Sequence, residues 1–211
     1  MMSDGIMING KHSYRDFGLY ISSRDISPPT KKSVRQSVPF MSGFYDFSAM
    51  PGFTSWENRQ LTYTFDISEW DISEMDEKRS AVLGWLASVQ NTDIYDDSIS
   101  GYHINGSYDG VQSVEDWAAA ELTVTFVCQP FFVANAATTQ AIQDTTVTIN
   151  NDCRLFDVTA AAATDASITI GNKTISIPAE TSVKLPDITA YGATEITAVG
   201  TVALSFVRGR F

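Results

Sequence analysis

Two runs of strict alternation constrain this chain more than anything else in it. Leu61, Tyr63, Phe65 and Ile67 alternate with Thr62, Thr64 and Asp66, and Leu122, Val124 and Phe126 alternate with Thr123 and Thr125. Successive side chains of a strand point to opposite faces, so each run reads as a strand with one buried and one polar face. One helix is predicted between them. Ser73 and Asp76 stand at capping-box spacing. Met75, Val82, Trp85, Leu86 and Val89 then fall on one side at helical spacing. Glu74, Asp76 and Glu77 gather where the helix dipole favours acids. The pattern predicts a stop near Asn91.

The last third of the chain reads as short β segments. Ile168-Thr169-Ile170, the turn Gly171-Asn172-Lys173, and Thr174-Ile175-Ser176-Ile177 form a hairpin signal. Val147-Thr148-Ile149, Val183-Lys184-Leu185 and Thr201 to Phe206 add further strands, the pattern of a small antiparallel sandwich. The expected fold class is therefore mainly β: two antiparallel sandwich domains, the first carrying a single α-helix.

Composition changes near Pro130. Of the 24 aromatic residues, 20 lie at or before Phe132, leaving Phe156, Tyr191, Phe206 and Phe211 for the rest. Residues 133–211 instead hold 14 Ala and 14 Thr. Residues 1–129 carry 9 basic and 18 acidic side chains, while the remainder carries 5 and 7. The small-residue stretch Val133 to Thr139 is suited to a linker, so the expected domains are 1–132 and 133–211.

A chain of 211 residues with a net charge of −11 disfavours nucleic acid or an anionic membrane as its main partner. No apolar run approaches the roughly 18 residues of a membrane helix. Met1-Met2-Ser3-Asp4-Gly5 places an acid where a signal peptide carries basic residues, so secretion by that route is not expected. Cys128 and Cys153 are too few for a disulfide framework and read as buried thiols of a reducing compartment. With only His12 and His103, histidine-based catalysis and His-rich metal sites have little material.

Other chemistry is equally sparse, and neither catalytic residues nor a cofactor is expected. Gly5 to His12 nearly spells a phosphate loop, but His12 stands where that loop needs Ser or Thr for magnesium. Ile6 to Ile8 reads as a strand and Asn9-Gly10 as a turn. The acids Asp66, Glu69, Asp71, Glu74, Asp76 and Glu77 could supply a glycosidase pair, though a solvated face and a helix N-terminus explain them more simply. Asp93, Asp96 and Asp97 lack calcium-loop spacing. There is no G-x-S-x-G elbow. The sequons at Asn105 and Asn172 look like turns. Trp56, Trp70, Trp85 and Trp117 could line a sugar platform, but burial is the simpler reading.

One segment is out of place as a loop. Ser22 to Gln60 holds Pro28, Pro29, Pro39 and Pro51 together with Phe40, Phe44, Tyr45, Phe47, Phe53 and Trp56. So apolar a stretch must pack on its own domain or on another subunit. Phe40, Met41, Phe44, Tyr45, Phe47, Phe53 and Trp56 are its subunit-interface candidates.

The order of features in residues 1–132 resembles the N-terminal domain of the distal tail protein (Dit) of siphovirus-type bacteriophages. The resemblance runs through Asp16-Phe17-Gly18-Leu19-Tyr20-Ile21, Arg24-Asp25-Ile26-Ser27-Pro28-Pro29, Ser37-Val38-Pro39-Phe40-Met41-Ser42-Gly43 and Tyr45-Asp46-Phe47-Ser48. It continues in Glu57-Asn58-Arg59 before the Leu61 strand, the helix ending in Trp85-Leu86, Tyr102-His103-Ile104-Asn105-Gly106, and Phe126-Val127-Cys128-Gln129-Pro130. Phe40-Met41-Ser42-Gly43 departs from the family, which often has a glycine soon after Val-Pro and charged residues near the turn. Beyond Phe132 the resemblance is one of type only.

The resemblance implies a structural, non-enzymatic hub of the virion tail tip or baseplate, made in the host cytoplasm. It implies a homo-hexameric ring joining the tail tube protein and tape measure protein to the tail-associated tip protein, with a receptor-binding protein as a further partner. The first domain would build the ring through an extended hairpin arm. The second would be a galectin-like or related sandwich. The alternative is a carbohydrate-binding module that attaches to host glycans through that sandwich.

Overall fold

The computed structural model describes residues 4–48, 54–67, 73, 75–111, 121–151, 153–189 and 192–211. Its elements run β1 (Ile6–Ile8), β2 (Lys11–His12), α1 (Ser13–Phe17), β3 (Tyr20–Ile26), β4 (Arg35–Gln36), β5 (Tyr45–Asp46), β6 (Arg59–Asp66), α2 (Met75–Ala87), β7 (Thr92–Asp96), β8 (Tyr102–Val111) and β9 (Glu121–Cys128). There follow β10 (Phe132–Ala134), β11 (Thr138–Gln143), β12 (Thr146–Asn151), β13 (Leu155–Ala162), β14 (Ala166–Ile170), β15 (Lys173–Ile177), β16 (Thr181–Lys184), β17 (Gly192–Val199) and β18 (Thr201–Arg210). The chain divides into two compact units, one of residues up to Lys32 with Trp56–Phe132, the other of Ser33–Ser55 with Val133–Phe211.

In the first unit, antiparallel pairing gives the order β2-β1-β7-β8-β9-β6-β3. The alternation read in the sequence appears as register. Leu61 faces Phe126, Tyr63 faces Val124 and Phe65 faces Leu122, all fully buried. On the other face Thr62 meets Thr125 and Thr64 meets Thr123, each pair with its hydroxyls 3.3 Å apart. The sheet is strongly curled. β3 and β7 lie four strands apart, about 19 Å in a flat sheet, yet Arg24 Nε in β3 donates to Asp96 Oδ2 at 3.2 Å. Tyr63 Oη in β6 donates to the same oxygen at 3.0 Å. α2 lays Val82, Trp85 and Leu86 into this core, and Trp85 Nε1 donates to the Ile8 carbonyl at 3.1 Å.

Asn9 and Gly10 both have positive φ (53° and 75°), the geometry of a tight hairpin turn joining β1 to β2. The near-phosphate loop is thus a hairpin, as its turn signal indicated. Two local readings need correction. The sequence predicted a single helix here, whereas a second, five-residue helix, α1, follows β2 at once. α2 also ends at Ala87 rather than near Asn91. The Ser88 hydroxyl donates to the Trp85 carbonyl at 2.7 Å, and Val89 N donates to Leu86 O at 3.0 Å, which tightens the last turn. Asn91 then takes a φ of 48°.

In the second unit, residues 133–211 form two four-stranded antiparallel sheets, β16-β13-β18-β11 and β12-β17-β14-β15. Leu155, Val158, Ala160, Val202, Leu204 and Phe206 of the first sheet meet Ile149, Ile168, Ile177, Ile196 and Ala198 of the second in one buried cluster. This is an aligned sandwich with its core between the faces. The hairpin predicted at 168–177 is β14–β15, with Gly171-Asn172 as its turn. A bulge in β13 between Phe156 and Thr159, with Asp157 at φ 49°, turns Val158 into the core. The stretch read as a linker ends inside a strand, since Thr138 and Thr139 pair with Phe206 and Ser205. Residues 34–48 form a separate hairpin.

Candidate assembly surface

The hairpin is held by polar contacts along its length. Arg35 pairs with Asp46 and Gln36 with Tyr45. Arg35 Nε donates to Asp46 Oδ2 at 3.3 Å, Phe47 N to Val34 O at 2.8 Å, and Val34 N to Ser48 Oγ at 2.9 Å. Asp46 Oδ1 accepts from Ser48 N at 2.9 Å. The hydrogen bonds from Ser48, reinforced by Arg35, hold the Asp46 carboxyl below its ordinary value. At the turn, Met41 N donates to Val38 O at 3.1 Å, and Phe40 takes a φ of 68°, a left-handed conformation unusual for a bulky residue.

Its apolar side chains lie in water. Phe40 is fully exposed; Phe44, Tyr45, Phe47 and Met41 are exposed to 51, 55, 41 and 36%. Val34 and Val38 join them, so this hairpin carries seven of the ten large hydrophobic residues exposed among the described residues. The Arg35 guanidinium covers the Phe44 ring at 4.6 Å, and Tyr45 lies 6.2 Å from Phe47. Five of the seven interface candidates named from the sequence therefore share one hairpin. Phe53 lies outside the described residues. Trp56 is elsewhere, half-buried in the first unit, bridged to Lys31 and edge-on to Phe131 at 6.2 Å. Sequence reading missed Val34 and Val38 because they precede the aromatic run. The signal was the pairing across the hairpin closed by Arg35 and Asp46, in which Val34 lies opposite Phe47 and the Val38 carbonyl accepts from Met41 N at the turn.

The remaining sequence candidates fall into structural roles. His12 caps α1: its Nδ1 accepts from Tyr14 N at 3.1 Å and Arg15 N at 3.2 Å. Those two bonds leave the ring proton on Nε2, which donates to Asp97 Oδ2 at 2.9 Å. Asp96 is buried and accepts from Tyr63, Arg24 and both the amide and hydroxyl of Ser98. Burial works to lower the Arg24 pKa, but its hydrogen bond to Asp4 and the charges of Asp96 and Asp4 outweigh it and raise it. Asp93 accepts from Asn105 Nδ2 at 3.0 Å. Of the acids at 66–77, Asp76 and Glu77 sit exposed in the first turn of α2, and Glu69, Asp71 and Glu74 lie outside the described residues. No group of three metal-ligating side chains occurs among the described residues.

Trp85 is 4% exposed, a core residue; Trp70 and Trp117 lie outside the described residues. In the sandwich, Phe206 is buried, Phe156 half-buried under Arg154, and Phe211 exposed, while Tyr191 lies outside the described residues. Both cysteines are free and buried.

A curled seven-stranded sheet with one long helix, an eight-stranded sandwich and a hairpin of exposed apolar side chains define an antiparallel β protein. No protein-family model and no curated protein matches the sequence. The solved structure of the Dit protein (gp 19.1) of phage SPP1 is similar to this chain with a TM-score of 0.74, covering 99% of both chains at 11% sequence identity. That protein is described as a paradigm of the hub of the adsorption apparatus in phages infecting Gram-positive bacteria. The likeness is one of fold, and it extends past the 132 residues in which the sequence resembled that family.

Proposed function

We propose that this chain is a structural hub of a phage tail tip, working by assembly and not by catalysis. The observation that carries the reading is the Dit fold, matched over 99% of the chain. In this reading copies close into a hexameric ring that joins the tail tube and tape measure proteins to the tail-associated tip protein and a receptor-binding protein. Residues 1–132 build the ring and residues 133–211 form the outward sandwich. A closed ring needs two different surfaces on each subunit, meeting head to tail. The hairpin supplies one of them through Phe40, Met41, Phe44, Tyr45 and Phe47, with Phe53 and Trp56 beyond it. Burying one such aromatic side chain contributes roughly 1.5–3 kcal/mol, so a few per subunit offset the repulsion between copies of charge −11. Electron microscopy of the purified chain tests the proposal. A six-fold annulus is expected, and a monomer at high concentration with no annulus overturns it.

A further inference from the structure

His12 is a buried imidazole with both ring nitrogens committed. It is 3% exposed. Nδ1 accepts from Tyr14 N at 3.1 Å and from Arg15 N at 3.2 Å, and Nε2 donates to Asp97 Oδ2 at 2.9 Å. Backbone closes one side of the ring: a Cβ added at Gly5 would overlap His12 Cε1. Gly5 O accepts from Asp97 N at 3.1 Å and Ser13 Oγ accepts from Ile6 N at 3.1 Å, so both surroundings of the ring are tied to the start of β1.

The short helix α1 depends on this ring. Its five residues are too few to hold a helix in water, so its ends must be fixed from outside. At the C-terminal end Gly18, at φ 67°, donates to Tyr14 O at 2.8 Å, and Leu19 N donates to Ser13 O at 3.0 Å. At the N-terminal end the amides of Tyr14 and Arg15 are met by a nitrogen lone pair, where an oxygen is usual. The difference is chemical. A side-chain amide oxygen keeps its lone pairs in mild acid, whereas Nδ1 gives up its lone pair when the imidazole takes a second proton. The ion would turn an N–H toward two N–H groups and set a positive charge at the positive end of the helix.

We propose that His12 is a latch that holds α1 closed while its ring is neutral and releases it when the ring takes up a proton. Asp97, from the turn after β7, favours the ion, but its side chain is 41% exposed, and a pair so open to solvent is worth little. Asp16 of α1 is engaged by His12 N at 2.6 Å, and Arg15 adds a like charge on the same helix. Lys11, beside the ring in β2, holds its Nζ over Phe17, and Asp4, before β1, is paired with Arg24. Release frees Phe17 from its stack on Trp85, where the ring centres lie 4.8 Å apart, and so loosens the edge of the core next to α2. The latch is independent of the hub reading, since it needs no second copy.

Hydrogen–deuterium exchange of the full-length chain, read by mass spectrometry on the segment holding Tyr14 and Arg15, tests it at pH 8 and pH 5, on either side of the roughly 6.5 at which a free imidazole titrates. After correction for the pH dependence of chemical exchange, protection of this segment is expected to fall several-fold at the lower pH while β6 and β9 stay protected. His12→Asn supplies an oxygen in place of Nδ1 and should show no fall. If that variant is loose at both pH values, Asp97→Asn takes its place. It removes the charge that favours the ion, so release should need a lower pH than in the wild type. Equal protection at the two pH values overturns the latch. So does an equal fall in His12→Asn, an unchanged onset in Asp97→Asn, or a loss of protection in β6 and β9 along with α1. None of these results bears on the annulus expected of a hub.

Discussion

Asp96 shows how one residue fixes the curvature of a sheet. Its side chain is 2% exposed and gathers Arg24 from β3, Tyr63 from β6 and Ser98 from the following turn. Asp96→Ala leaves the Arg24 charge and the Tyr63 hydroxyl without this acceptor, and should cost on the order of 3 kcal/mol, read as a lower urea midpoint. The buried thiols make a second prediction, on pH. Burial pushes Cys128 up to about 12 and Cys153 up to about 11, against about 8.5 for a thiol in an unfolded chain. Above that lower value the unfolded state gives up its thiol protons first and binds fewer than the folded state, so stability falls as pH rises. The contribution is complete below about pH 8.5 and is lost as pH climbs through 11 and then 12. Tyr63, raised well above its ordinary value by burial and by Asp96, acts in the same direction. Urea midpoints at pH 8 and pH 10.5 should show a clear drop in the wild type and a smaller one in Cys128→Ala. Equal drops would mean the thiol is not the titrating group.

At the scale of elements, the hairpin at 34–48 is the one whose removal from water is unfinished. Phe44 is half-exposed and touches Arg35 within the hairpin, so Phe44→Asp should change monomer stability by less than about 0.5 kcal/mol while abolishing self-association. Unchanged sedimentation of that variant would remove the hairpin from the interface. Elements with one wet and one dry face were the legible ones: β6 and β9 announce themselves because every second side chain is in the core. α1 was not legible. It has five residues, and its cap is an imidazole, His12, in the place where Ser, Thr, Asp or Asn is usual. Asp16 returns the bond to His12 N at 2.6 Å, so the logic is that of a capping box written with an unfamiliar residue. The apolar hairpin stood out by composition, but its limits depend on the pairing of Arg35 with Asp46 across eleven positions, which no local pattern announces.

If copies associate as proposed, the question for the whole molecule is which force governs association between chains that each carry −11. If exposed apolar side chains supply the attraction, charge supplies only the opposition. Screening then helps: the Debye length shrinks from about 10 Å at 0.1 M salt to about 3 Å at 1 M, while sulfate strengthens apolar burial. Assembly should therefore shift to lower protein concentration as salt rises from roughly 0.05 to 0.5 M, and further in sulfate than in chloride at equal ionic strength. Ion pairs between copies would behave oppositely, loosening as their attraction is screened. Mass photometry across a salt series separates the two. Phe44→Asp supplies the control, since a variant lacking the apolar contact should stay monomeric at every salt concentration. Oligomers that dissolve on adding salt would show that charge pairs hold the copies together, and would reduce the exposed rings of the hairpin to bystanders.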